Sequence, residues 1–518
     1  MGPNLICVNL SRSDPHRNAS DGQIYFYKST METAPSSLSQ ICHNIVASYL
    51  RCHGLFKTLA ALEEESQPTT DTTSSTTYQN VPYDLRTLVE HAASSASAQA
   101  AADMKSNEPE EINVAFASLS TNSRTSYAIE RTLDHLHMSN ILSVVPVTYP
   151  GVEGACIATT GADKRIVITH VESGDLVGFL EPKSQSACGA HGHRAAVLAV
   201  CQHPTAPQYM ATAGMDGLVV VWDMRRDVPI QTLGDHKRYA VRVAFSEDGM
   251  FMSSAGYDKA IHIYANQSEQ GNEQPYFVRI HTIETQMKPE ALLFVQGPMT
   301  PDTQANASQE RVRPWLVYTV RDRVELHYVA LPHEGAEGSE TEAATPNWSI
   351  LTFNTNPDPA DHHASYSLLD LALHPSGRYI SAQTGDHGAA HTLSPCYDHS
   401  LSRILLLPLF SEHRRTTLWT GAPSSAFTSP RHAWRSSGDG VWVTGDDGVL
   451  RLVGLDGHVS AHVRSHGLAA EATSNATMAA AEWRYGGNTI VKDVAVLPDD
   501  RVVSCGFDRT VRILSSTV

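Results

Sequence analysis

No apolar run in the 518-residue sequence approaches the roughly 18–20 residues that a membrane-crossing helix requires; the best, Ile404 to Phe410, is interrupted by Pro408. Positive charge is scarce: 38 Lys and Arg stand against 55 Asp and Glu, a formal net charge of −17, and no basic block offsets it. Such a chain is a poor ligand for a phosphate backbone, so neither nucleic acid nor a membrane is expected as a partner. Cysteine is thin and dispersed, at Cys7, Cys42, Cys52, Cys156, Cys188, Cys201, Cys396 and Cys505, with no C-x-x-C pair. That spacing excludes a zinc ribbon and gives no disulfide framework, which leaves small core hydrophobes. The segment Met1 to Leu10 has neither the charged start nor the long apolar stretch of a signal peptide, and Pro3 and Ile6 spoil a myristoylation site at Gly2. The expectation is a soluble, intracellular protein, with Met31 as an alternative start.

Motifs for catalysis are missing as well. There is no G-x-x-x-x-G-K-[ST] phosphate loop, no strand-linked G-x-G-x-x-G and no G-x-S-x-G elbow. Twenty-six histidines raise the question of a metal, but the nearest clusters, Asp361-His362-His363 and Asp386-His387, lack H-E-x-x-H spacing. They read as surface loops, so no metal, no cofactor and no enzymatic activity are expected.

What is present begins with a loosely structured stretch over 1–36. From Leu38 to Glu65 the apolar spacing becomes helical, with Ile41, Ile45, Val46, Tyr49 and Leu50 on one stripe, Gly54 as a break, and Leu59 and Leu62 in a second short helix. Two such helices cannot bury a core alone, which calls for a second copy. The apolar pair Ile45-Val46, Tyr49-Leu50, Gly54 and the acidic end Glu63 to Glu65 resemble the LisH motif over 37–66, although Leu55 stands where that family has an aromatic. The resemblance implies a homodimer through Ile41, Ile45, Val46, Tyr49, Leu50 and Leu62. Residues 67–125 read as a polar linker with a weak alanine-rich helix.

The rest of the chain repeats. Its clearest unit has Gly192-His193, strands from Ala196 to Cys201 and from Tyr209 to Ala213, a turn at Met215-Asp216-Gly217, and a strand from Leu218 to Trp222 followed by Asp223. This order resembles a blade of a WD-repeat β-propeller. The resemblance implies a hydrogen-bond chain through His193, Thr212, Asp216 and Trp222, which is a structural role. Turn aspartates at Asp163, Asp216, Asp258, Asp322, Asp386, Asp447 and Asp508 count seven blades at intervals of 42 to 64 residues. The fold class is therefore an all-β, seven-bladed propeller over 126–518, preceded by a small helical module.

A bare blade needs about 40–45 residues, so the excess is assigned to polar loops: Gly297 to Glu310, Pro332 to Asn347, Thr384 to Ser402 and His466 to Asn488. The segment from Ala128 to His135 parallels the outer strand and linker from Pro229 to His236, which predicts that Ser126 to Leu133 completes the last blade; Ile112 to Leu119 is the alternative. Function reads as a non-catalytic interaction scaffold within a multi-subunit complex, binding proteins or peptides, with basic segments favoured by the −17 charge. Trp222-Asp223-Met224-Arg225 also resembles the W-D-x-R box of cullin-RING ligase substrate receptors, in which Arg225 would contact the adaptor.

Overall fold

In the computed structural model the described residues are 5–9, 23–27, 126–181, 189–268, 274–298, 312–332, 348–356, 363–364, 366–386, 400–411, 416–424, 428–467 and 489–517. Two compact units divide the chain, Met1–Ala96 and Ser97–Val518. In the first, within the stretch read as loosely structured, Leu5–Asn9 pairs antiparallel with Gln23–Tyr27. The LisH-like segment 37–66, the linker and the alternative strand from Ile112 to Leu119 lie outside the described residues.

The second unit contains seven four-stranded antiparallel sheets. Blade 1 runs Ile141–Val147, Cys156–Gly161, Ile166–His170 and Leu176–Leu180 from inner to outer strand. Blade 2 runs Val197–Gln202, Tyr209–Gly214, Val219–Asp223 and Val228–Leu233. Blades 3, 4, 5 and 6 begin on the inner strands Ala240–Phe245, Pro289–Pro298, Tyr366–Leu373 and His432–Trp434. Blade 7 takes Val491–Val496, Val502–Gly506 and Val511–Thr517 from one end of the unit and Ser126–Leu133 from the other, with Leu133 opposite Val511 and Ser126 opposite Thr517.

Each blade has apolar side chains on both faces, which buries most of its middle strands; in blade 2 this takes in all six residues of Tyr209–Gly214 and all five of Val219–Asp223. The buried apolar residues fall into seven clusters, one at each blade–blade interface. One joins blades 1 and 2 around Ile168, Leu180, Met210 and Trp222. Another joins blades 7 and 1 through Leu133, Ile141, Ile157, Val503 and Ile513. Seven interfaces among seven blades leave no open face, and the ring is closed.

The closing segment does not follow the register read from the sequence. Leu133 faces Val511 as Leu233 faces Val219, so Leu133 corresponds to Leu233 and not to Gly234. The connection to the next buried histidine is thereby one residue longer, and that residue is His137; His135 is exposed, its Nδ1 3.9 Å from Asp134. The long loops assigned from the repeat interval lie largely outside the described residues. Their edges need correction, however, since Thr384 and Ser402 are buried within strands and His466 is buried inside a blade.

Removal of residues 1–133 strips the outer strand from blade 7 and exposes the edge Val511–Thr517, a template for non-native pairing. The expected result is a lower melting temperature and concentration-dependent association, relative to a chain lacking only residues 1–125, by thermal scanning and gel filtration.

Candidate functional site

The polar groups predicted in blade 2 meet. Trp222 Nε1 donates to Thr212 Oγ1 at 2.8 Å, Thr212 Oγ1 lies 2.8 Å from His193 Nε2, and His193 Nδ1 lies 3.1 Å from Asp216 Oδ1. Indole nitrogen can only donate and a carboxylate can only accept, so the direction of the chain is fixed from Trp222 to Asp216 and His193 carries its proton on Nδ1. Asp216 also accepts from the backbone N–H of Arg194 at 2.6 Å and of Leu218 at 3.1 Å. Burial works to raise the Asp216 carboxyl, but His193 and these two amides outweigh it and hold it below the usual value.

The same arrangement recurs in three other blades. His137 Nδ1 lies 3.0 Å from Asp163 and its Nε2 2.9 Å from Thr159. His236 bridges Asp258 and Ser254 at 3.0 and 2.8 Å. His466 bridges Asp508 and Ser504 at 2.9 Å each. Blades 7, 1, 2 and 3 therefore carry the network, and they are consecutive around the ring.

Blades 4, 5 and 6 depart from it, and three of the turn aspartates read from sequence do not play that part. Asp322 sits at a left-handed position, φ +59°, and its N–H donates to Ser367 Oγ of blade 5 at 2.8 Å. Asp386 ends the strand Tyr379–Asp386. Asp447 forms an ion pair with Arg451. A substitute network spans blades 5 and 6: Trp434 Nε1 donates to Ser381 Oγ at 2.8 Å, Ser381 Oγ lies 2.7 Å from His432 Nε2, and His432 Nδ1 lies 3.0 Å from Asp370 Oδ2. It again links a tryptophan, a hydroxyl, a histidine and an aspartate, with Ser381 in place of a threonine, but the tryptophan and histidine come from the inner strand of the following blade. Burial alone would raise the Asp370 carboxyl; Arg431 foremost, with His432, holds it well below the usual carboxylate range.

One histidine-rich group was not legible in the sequence. The ligand atoms of His236, Asp258 and His262 lie within 4.8 Å of one another. Both His236 nitrogens and Asp258 are already engaged in blade 3, so a cation there would displace the blade's own hydrogen bonds. Burial, with His236 beside it, lowers the His262 pKa to about 4. Asp361 and His362, and the His387 of the other sequence cluster, lie outside the described residues. The candidate adaptor residue Arg225 is exposed on the turn after Trp222-Asp223, with its backbone N–H donating to Asp223 Oδ1 at 2.9 Å.

Gly214 shows how tightly the blade 2 network is packed: a Cβ there would lie 2.5 Å from His193 Nδ1 and 2.7 Å from Asp216 Oδ1. Gly214→Ala must push the pair apart, and a loss of about 1–3 kcal/mol is expected in denaturant unfolding. An unchanged midpoint would show that the His193–Asp216 contact contributes little.

Residues 186–223, 227–265 and 482–515 match the WD domain, G-beta repeat family, covering blade 2, the outer strand of blade 2 with most of blade 3, and blade 7. Among curated proteins, none matches the chain significantly. Three segments of the chain are thus WD repeats by their match to this family, a fourth blade shares their hydrogen-bond network, and the fold is a seven-bladed β-propeller.

Proposed function

We propose that the chain is a non-catalytic, intracellular interaction scaffold that dimerises through the LisH-like residues 37–66 and holds protein partners on its propeller within a multi-subunit complex. WD40 propellers are typically interaction scaffolds. The observation that carries the reading is the use made of the titratable residues: the histidines and aspartates of blades 7, 1, 2 and 3 are paired inside the sheets, where they fix register and satisfy buried groups. The free thiols of Cys156 and Cys505, both buried, suit a reducing compartment. Deleting residues 1–66 is expected to convert a dimer to a monomer in light scattering and to leave the propeller folded. An unchanged mass would defeat the dimerisation part of the proposal.

A second reading is supported by the geometry at Arg225. Its side chain is exposed beside a turn that Asp223 pins by accepting the Arg225 N–H, and the neighbouring Met224 is fully buried. A guanidinium presented on a rigid turn suits an adaptor contact in a cullin-RING ligase. In that case Arg225→Ala removes adaptor co-purification with no change in melting temperature; retention of the adaptor by the variant would eliminate the ligase reading.

A further inference from the structure

One end of blade 3 is built from three short segments. They are the connection Lys237-Arg238-Tyr239 into the inner strand Ala240–Phe245, the turn Tyr257-Asp258-Lys259 between Phe251–Gly256 and Ala260–Asn266, and the connection through Lys288 into Pro289–Pro298 of blade 4. Hydrogen bonds tie them to one another. The Lys237 N–H donates to Asp258 Oδ2, the Tyr257 N–H to the Tyr239 carbonyl, the Thr285 N–H to the Lys259 carbonyl, and the Arg321 N–H to the Lys288 carbonyl, each at 2.8 Å. On this frame the side chains form one surface. Tyr239 is 44% exposed with its ring 6.5 Å from that of Tyr257, and Lys288 Nζ lies 4.8 Å over the Tyr257 ring. Lys237, Arg238 and Lys259 are exposed around the two tyrosines.

Among the described residues, none of these four cations is in an ion pair. The carboxylates next to them are engaged elsewhere: Asp235 accepts from Arg279 Nη1 at 2.7 Å and from the Tyr264 hydroxyl at 3.1 Å, Asp258 is held by His236, and Glu290 is paired with Arg321. Glu284 and Asp322 are exposed at this end of blades 3 and 4, and so is Arg323, which leaves the cations in excess. The other end of the ring differs, since Arg435 there is paired with Asp439 and Asp500, and Arg501 with Asp499.

Lys259 adds an independent observation. It sits at φ +66°, in the left-handed region, at the turn position that blade 2 gives to Gly217 at φ +77°. Glycine occupies that region without the steric cost that a side chain brings. The turn itself therefore does not call for a lysine.

We propose that this end of blade 3 docks a short acidic segment of a partner protein, its carboxylates on Lys237, Arg238 and Lys259 and a neighbouring apolar side chain against Tyr239. The inference rests on the scaffold reading and names the chemistry of one partner. Against a net charge of −17 the patch is a local reversal of sign, and charge complementarity then selects an acidic ligand. A long polyanion would run beyond the patch onto a surface that repels it, so a short peptide fits better than a nucleic acid.

The probe is the fluorescein-labelled peptide Gly-Glu-Glu-Leu-Glu-Glu-Gly, followed by fluorescence anisotropy on the full chain. A Kd of about 10–100 μM is expected at low salt, weakening roughly tenfold as ionic strength rises from about 0.05 M to 0.3 M. The peptide with glutamine at the four glutamate positions should bind at least about tenfold more weakly, and the double variant Lys237→Glu, Arg238→Glu should lose about as much. Tyr239→Ala should weaken binding roughly threefold. Lys259→Gly should also weaken it while leaving the melting temperature unchanged or higher, a combination that a structural role for Lys259 would not give. Arg378→Glu, on an exposed turn at the opposite end, should bind as the wild type does. Equal binding of the glutamine peptide, or undiminished binding by the double variant, overturns the proposal. So does tighter binding of an oligothymidylate of about ten nucleotides, which would make the patch a nucleic-acid site. Should the double variant fail to fold, Lys259→Gly and the salt dependence decide. None of these results bears on the light-scattering test of dimerisation, so failure of this patch and failure of the scaffold reading are separable.

Discussion

A four-stranded sheet with apolar residues on both faces is unstable until each face is covered, and in this protein every cover is another blade. The seven apolar clusters are the seven places where one blade covers the next. Removing one cover leaves two faces wet, and only closure of the ring covers every face. At roughly 25 cal/mol per Å2 of apolar surface, such interfaces dominate the stabilising side. The hydrogen-bond networks inside the blades contribute less net energy but define which strand lies where.

That division of labour explains an asymmetry in the ring. Blades 7, 1, 2 and 3 combine apolar faces with the His–Asp network, whereas blades 4, 5 and 6 keep the apolar faces and alter the polar part. Buried tryptophan and tyrosine persist there at Trp315, Tyr328 and Trp442. Packing tolerates drift in the polar pattern, and Ser381, His432 and Trp434 with Asp370 form one alternative arrangement.

The extent to which sequence revealed this follows the same line. Blade 2 was legible strand by strand because Gly192-His193, Asp216 and Trp222-Asp223 sit at the intervals its hydrogen bonds require. Blade 3 shows its turn in Gly256-Tyr257-Asp258. The closing strand could be found from its likeness to the outer strand of blade 2, but a one-residue difference in register and one extra residue in the connection together place the buried histidine at His137, where the likeness pointed to His135. His466 was hidden for a different reason: 42 residues separate it from Asp508, so it looked like the start of a loop. The network across blades 5 and 6 had no readable signal, because its members lie 51 and 53 residues apart and belong to different sheets.

Blade 7 is assembled from strands whose partners, such as Ser126 and Thr517, are 391 residues apart. Contacts of that sequence separation form late, because the loop entropy must be overcome before the pairing repays it. During synthesis the outer strand emerges early and has no sheet to join until the segment Val491–Thr517 has followed. The first six blades must persist meanwhile as an open crescent with an uncovered face at each end, and in that interval the chain most needs a chaperone.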